Sequence, residues 1–340
     1  MGDRGPLRDF VFRWRKSLVL AFAVATGTFT GLLVFEPFSR PTDRSRQRKQ
    51  HGPDPSTLPG NTASSASVTA EGLTAEANQV AQRLLERFPE SPQALTLAGS
   101  VYYAFGDQAA ADRCWEDSLS IDPDFAPTSQ RMGEAAWERG DYGRAVSLLR
   151  KAIDADPSLT PAVAFLLADS LMNAGSPQEA VDALEQADGQ GSLSVEGTIL
   201  LGHGYLQTGQ YDKAKDRFAA GLLMDPGSSK IHFGLATVYA RLGQAEESRK
   251  HREMYAKLKT QKLDQTTSQR SSLRSTELGD MRPFAVQTYV NAGTIHASHG
   301  DIRQAEAYWV RAVELDPQHP EATRWLELLD AEGGDGKKPF

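Results

Sequence analysis

At 340 residues and 40% apolar content, the chain is long enough for about two domains with packed cores, which excludes global disorder. Its net charge of -7 is unevenly spread: residues 1–65 hold 10 Lys and Arg against 5 Asp and Glu, while residues 66–340 hold 27 against 39. The part able to fold is therefore acidic, which argues against nucleic acid as a partner, and the single cysteine, Cys114, excludes both an intramolecular disulfide and a cysteine-rich zinc site.

In chain order, a basic N-terminus (1–16) leads into Ser17–Phe35, 19 residues without a charge. As a helix this stretch would rise about 28 Å, close to the hydrocarbon thickness of a bilayer, and it is expected to be one transmembrane helix. Arg13, Arg15 and Lys16 abut its start and the nearest base after it is Arg40, so the N-terminus is expected in the cytoplasm and the rest on the extracytoplasmic side. A cleaved signal peptide is the rival, with Ala23-Val24-Ala25 as the processing site, but only Leu18–Phe22 would then be left as its apolar core. Within the span Ala23, Gly27 and Gly31 fall four apart, a pattern of small residues that fits possible self-association. Residues 36–68 are rich in Pro, Ser, Thr and Arg and read as a disordered tether.

From about residue 69 a repeat sets in. Seventeen residues before Pro123, Pro157, Pro226 and Pro317 stand Gly106, Gly140, Gly209 and Gly300; twelve before stand Ala111, Ala145, Ala214 and Ala305; twenty-four before stand Gly99, Gly133, Gly202 and Gly293. Each unit holds two runs of helical apolar periodicity separated by the middle glycine and closed by the proline, which predicts a helical hairpin. The middle glycine suits a left-handed residue past the first helix, and "GSPQEA" adds a capping box with Ser176 as cap and Glu179 reaching back. Trp115, Leu149, Phe218 and Trp309, each eight before its proline, are expected to fill the space between neighbouring hairpins.

The pattern in "LLGHGYLQTGQYDKAKDRFAAGLLMDP", with its small residues, aromatics and closing proline on a 34-residue period, resembles the tetratricopeptide repeat family. The resemblance implies an all-α fold, a right-handed superhelical solenoid of antiparallel hairpins. It divides the chain into a half repeat plus five repeats over 69–262, a polar insert at 263–285, a further repeat with a terminal helix over 286–331, and a disordered tail at 332–340. Two departures stand out: the 161–194 repeat lacks its proline, and Arg252 occupies a place where an aromatic is usual.

Family members bind protein or peptide partners through inward-facing residues of the first helices. Here the matching residues are Tyr103, Gln130, Glu134, Trp137, Phe165, Asp169, Met172, Asn173, His203, Gln207, Phe233 and Arg241. The bland alternative for each is packing between hairpins. Members that clamp a C-terminal carboxylate use paired Lys and Asn, whereas Gln130, Glu134, Phe165 and Asp169 stand in the corresponding places, which disfavours that ligand. His296 and His299 in "HASHG" share a helix face without a third ligand in view, so packing is expected rather than metal. No nucleophile elbow, phosphate loop or paired catalytic carboxylates stand out, and neither catalysis nor a cofactor is expected. The reading that follows is a single-pass membrane-anchored adaptor that binds a protein or peptide on its concave face. Two others stay open: a non-catalytic subunit of a membrane enzyme complex, such as envelope assembly or cytochrome maturation machinery, and a structural spacer whose groove is filled by its own insert or tail.

Overall fold

The computed structural model describes residues 69–190, 193–269 and 276–333. The expected membrane span, its Ala23, Gly27 and Gly31 face and the tether lie outside them. Among the described residues no helix is long and apolar enough to cross a membrane.

The regular structure among the described residues is helical. In order, α1 spans Ala70–Arg87, α2 Pro92–Ala104, α3 Gln108–Ile121, α4 Ala126–Arg139, α5 Tyr142–Ala155, α6 Thr160–Ala174 and α7 Pro177–Gln190. There follow α8 Val195–Gln207, α9 Tyr211–Met224, α10 Ser229–Arg241, α11 Ala245–Gln269, α12 Thr276–Ser298, α13 Ile302–Leu315 and α14 Pro320–Gly333. Helices α11 and α12 take in much of the stretch 263–285 that the sequence marked as a polar insert.

The punctuation of the hairpins follows from local chemistry. Every middle glycine (Gly106, Gly140, Gly175, Gly209, Gly243 and Gly300) has φ between 73° and 87°, the left-handed region in which a side chain is strained. Asp107 and Asp141 then cap the second helix, accepting from Ala110 N at 3.0 Å and Arg144 N at 3.2 Å. At the other end Asp122, Asp156, Asp225 and Asp316 are extended, as the following proline requires. Each carboxylate also accepts the backbone N–H two residues on, at 3.0–3.1 Å. Proline stops the helix, and the aspartate before it shapes the turn with its own side chain.

Packing within a hairpin is a glycine under a large side chain. A methyl group at Gly99 would lie 2.5 Å from Trp115 Nε1, one at Gly133 2.8 Å from Leu149 Cδ2, and one at Gly202 2.8 Å from the Phe218 ring. Gly293 stands in the same relation to Trp309. These four large side chains are fully buried, each worth about 2–3 kcal/mol of transfer free energy. The indole N–H groups of Trp115 and Trp309 donate to Thr96 O and Val290 O, both at 3.3 Å, so neither polar atom is buried without a partner. Cys114 is buried in the way expected of a small apolar residue.

The chain divides into two compact units. One, Phe88–Ser275, holds the five hairpins α2 to α11. The other joins α1 to α12, α13 and α14, so that residues preceding and following the first unit in sequence share one core. Here α1 buries Leu73, Ala77, Val80, Ala81 and Leu84 on one face and packs on α12. Glu76 fixes the pairing: its carboxylate accepts from Tyr289 Oη and, at 3.0–3.2 Å, from the Arg311 guanidinium. On the far side, Trp325 of α14 stacks on Trp309 with centroids 5.3 Å apart.

Candidate functional site

The first helices of the five-hairpin unit, α2, α4, α6, α8 and α10, carry all twelve of the residues picked out from the sequence. The structure sorts them by exposure. Asn173, Gln207, Phe233 and Arg241 are exposed; Tyr103, Glu134, Phe165, Asp169, Met172 and His203 are half-buried; Gln130 and Trp137 are buried.

Trp137 and Asp169 meet across adjacent hairpins: the indole Nε1–H donates to Asp169 Oδ2 at 2.6 Å. Trp137 is only 7% exposed, so its ring holds α4 against α6 rather than standing open to a ligand. Glu134 is likewise engaged, accepting from Gln130 Nε2 and from Arg131 Nη1, each at 2.8 Å. Both carboxylates among the twelve, Glu134 and Asp169, are therefore already hydrogen-bonded within the unit. Tyr103 donates to Glu138 Oε2 at 2.8 Å, and burial beside that carboxylate raises its pKa. His203 lies edge-on to Phe218 at 5.1 Å, and burial first, then the charge of Lys230, push its pKa down to about 4. Asn173, Gln207 and Arg241 form an exposed row, the same register in three successive first helices, 34 residues apart, with Asn173 Nδ2 also donating to Asp169 O at 2.7 Å.

Sequence reading passed over a histidine pair in the last hairpin. His232 Nδ1 lies 2.9 Å from His251 Nδ1, and the Tyr239 ring stacks on His251 at 5.5 Å. Burial, then the neighbouring His232, lowers the pKa of His251. The two sit 19 apart on opposite helices, a separation that signals contact only once the hairpin is closed. His296, by contrast, packs within its own hairpin, 5.2 Å from the Tyr308 ring with Nδ1 3.3 Å from Asp301 Oδ2. Among the described residues no cluster of three or more His, Cys, Asp or Glu is arranged to hold a metal ion.

Comparison with known proteins bears on this arrangement. Family models described as tetratricopeptide repeat match residues 70–111, 131–194 and 290–326, and a second such model matches 205–257. Protein bimA of Emericella nidulans is 22% identical over 183 residues, covering 54% of this chain and 23% of that protein. Human intraflagellar transport protein 70A is 26% identical over 184 residues, covering 52% and 28%. The chain thus spans about a quarter of the length of these relatives. Among solved structures, YrrB, described as a repeat protein with an unusual peptide-binding site, aligns with a TM-score of 0.50 at 18% identity over 52% of this chain and 91% of its own. That likeness is one of fold.

Proposed function

Because the chain belongs to the tetratricopeptide repeat family, we propose that it is a non-catalytic adaptor that holds a protein or peptide partner along the first helices of its five-hairpin unit. The observation that carries the reading is the row Asn173, Gln207 and Arg241, exposed in register on successive first helices, the first of which is tied to its predecessor by the Trp137–Asp169 hydrogen bond. Amide and guanidinium groups repeated along an elongated surface suit the backbone and acidic side chains of an extended segment. The uncharged 17–35 stretch and its basic flank extend the proposal: the adaptor is tethered to a membrane by its N-terminus with the helical units outside the cytoplasm.

Site-specific photocrosslinking in native membranes tests both parts. A photoreactive residue at Asn173 or Gln207 of the full chain should trap one dominant partner, and one at Glu116, exposed on the second helix α3, should not. Equal trapping at all three positions would rule out the first-helix surface. Release of the chain from the membrane by high salt would rule out the tether.

A further inference from the structure

Two positions show where one hairpin is covered by the next. The twenty-fourth residue of each repeat, on the second helix, is Trp115, Leu149, Leu184 or Phe218, and all four are buried. The fifth, on the first helix, is Thr96, Gln130, Phe165 or Ile199, of which three are buried and Phe165 half-buried. In α10–α11, the last hairpin of this unit, both positions are open: Arg252 is exposed and Phe233 is 45% exposed. The other unit shows what can cover such an end, because there Trp309, the twenty-fourth residue of its repeat, lies under the single amphipathic helix α14.

The open face of α10–α11 has a definite chemistry. Tyr255 stands 5.5 Å from the Phe233 ring, and Lys259 Nζ lies 5.6 Å over Tyr255. Arg252, Tyr255 and Lys259 follow one another at i, i+3 and i+7 and so share a helix face. Towards the hairpin turn, Ala240, Gly243, Ala245, Ser248, Arg249 and Arg252 line a hollow of about 230 Å³. From Arg249 to Lys262 the helix carries six Lys and Arg against Glu253 alone, within a folded part that is otherwise acidic. Among the described residues Arg252, Lys257 and Lys259 make no ion pair. A terminal cap evolved only for solubility accounts for the cations. It does not account for a phenylalanine left open at a place the inner hairpins cover.

We propose that the open end of this unit, formed by α10 and α11, docks an acidic amphipathic helix of a partner protein in the place a next hairpin would take. The apolar stripe of that helix lies on Phe233 and Tyr255, and its carboxylates face Arg252 and Lys259. This rests on the adaptor reading and adds to it a second surface and the chemistry of what binds there. Aromatic burial supplies affinity, and the opposed charges set orientation and association rate.

The probes are two synthetic 16-residue helical peptides sharing one Leu/Trp stripe, one flanked by glutamates and the other by lysines, titrated by fluorescence anisotropy against the purified full chain. The acidic peptide should bind at least about tenfold tighter than the basic one, and weaken as salt screens the charges. Phe233→Ser and Arg252→Glu should each weaken it about tenfold with helicity retained, the exposed Arg252 leaving Tm unchanged and the partly exposed Phe233 lowering it only slightly. The double variant R252E/K259E should reverse the preference between the peptides. Equal binding of the two peptides, binding of neither, or an unchanged affinity in Phe233→Ser overturns the proposal. Partner trapping from Asn173 and Gln207 is read separately, so the adaptor reading can stand while this surface falls.

Discussion

A single side chain shows how the repeat writes its chemistry. Asp122, Asp156, Asp225 and Asp316 precede the closing prolines, and each folds its carboxylate onto the N–H two residues later. An alanine there would keep the stop and the backbone bond that closes the turn, and lose the side-chain bond that reinforces it. His203 illustrates the opposite case, a residue whose environment sets its behaviour. Held against Phe218, it stays neutral in the folded chain down to about pH 4, whereas its unfolded value is 6.5. Between those values the unfolded chain binds the extra proton, so the stability this residue confers is complete above pH 6.5 and is lost as pH falls towards 4. The Tm difference between the parent and His203→Gln should therefore shrink on acidification through that window. A difference that stays constant from neutral pH to pH 4 would show that His203 is not desolvated.

Between elements, the decisive contact is the glycine beneath a large ring. A methyl group on Gly99 would meet the Trp115 indole at 2.5 Å, where the ring is locked by burial and by its bond to Thr96 O. Gly99→Ala should cost about 1–3 kcal/mol, the range for forcing extra volume into a packed core. In chemical denaturation the same change made on Trp115→Leu should cost clearly less, because the clash has gone. Additive effects of the two substitutions would place the strain elsewhere. Cross-hairpin ion pairs such as Arg139 with Asp112 at 2.9 Å and Arg217 with Asp188 at 2.7 Å add little beside this, since they are solvent-facing and screened.

The chain as a whole is two units, one of them built from segments far apart in sequence. The buried face of α12, with Val286, Tyr289 and Val290, belongs to the core that α1 completes, and Glu76 ties α1 to both α12 and α13. Removing residues 69–87 should therefore uncover apolar surface more than 200 positions downstream. Hydrogen exchange should quicken across residues 284–297 and stay slow across 126–241. Unchanged protection of 284–297 in the truncated chain would mean that α1 contributes nothing to that core.

By itself the sequence determined the helical hairpin, its period and its punctuation. Glycines, aspartates and prolines act through the backbone within a few residues, and the apolar spacing of each helix is local too. The family resemblance added twelve first-helix residues as candidates, since matching a position within a repeat needs only its register. Only the tertiary structure decided what those residues do. Trp137 and Asp169 lie 32 positions apart, and that the first donates a hydrogen bond to the second at 2.6 Å depends on how one hairpin seats on the next. In the same way, α1 reads from its neighbours as the half repeat preceding α2, and its amphipathic face names no partner. The packing on α12 and the carboxylate of Glu76 facing Tyr289 and Arg311 supply that choice. An exposed Phe233 and a buried Gln130 hold the same place in the repeat, so counting along the sequence gives them one position and the packing gives them different surroundings.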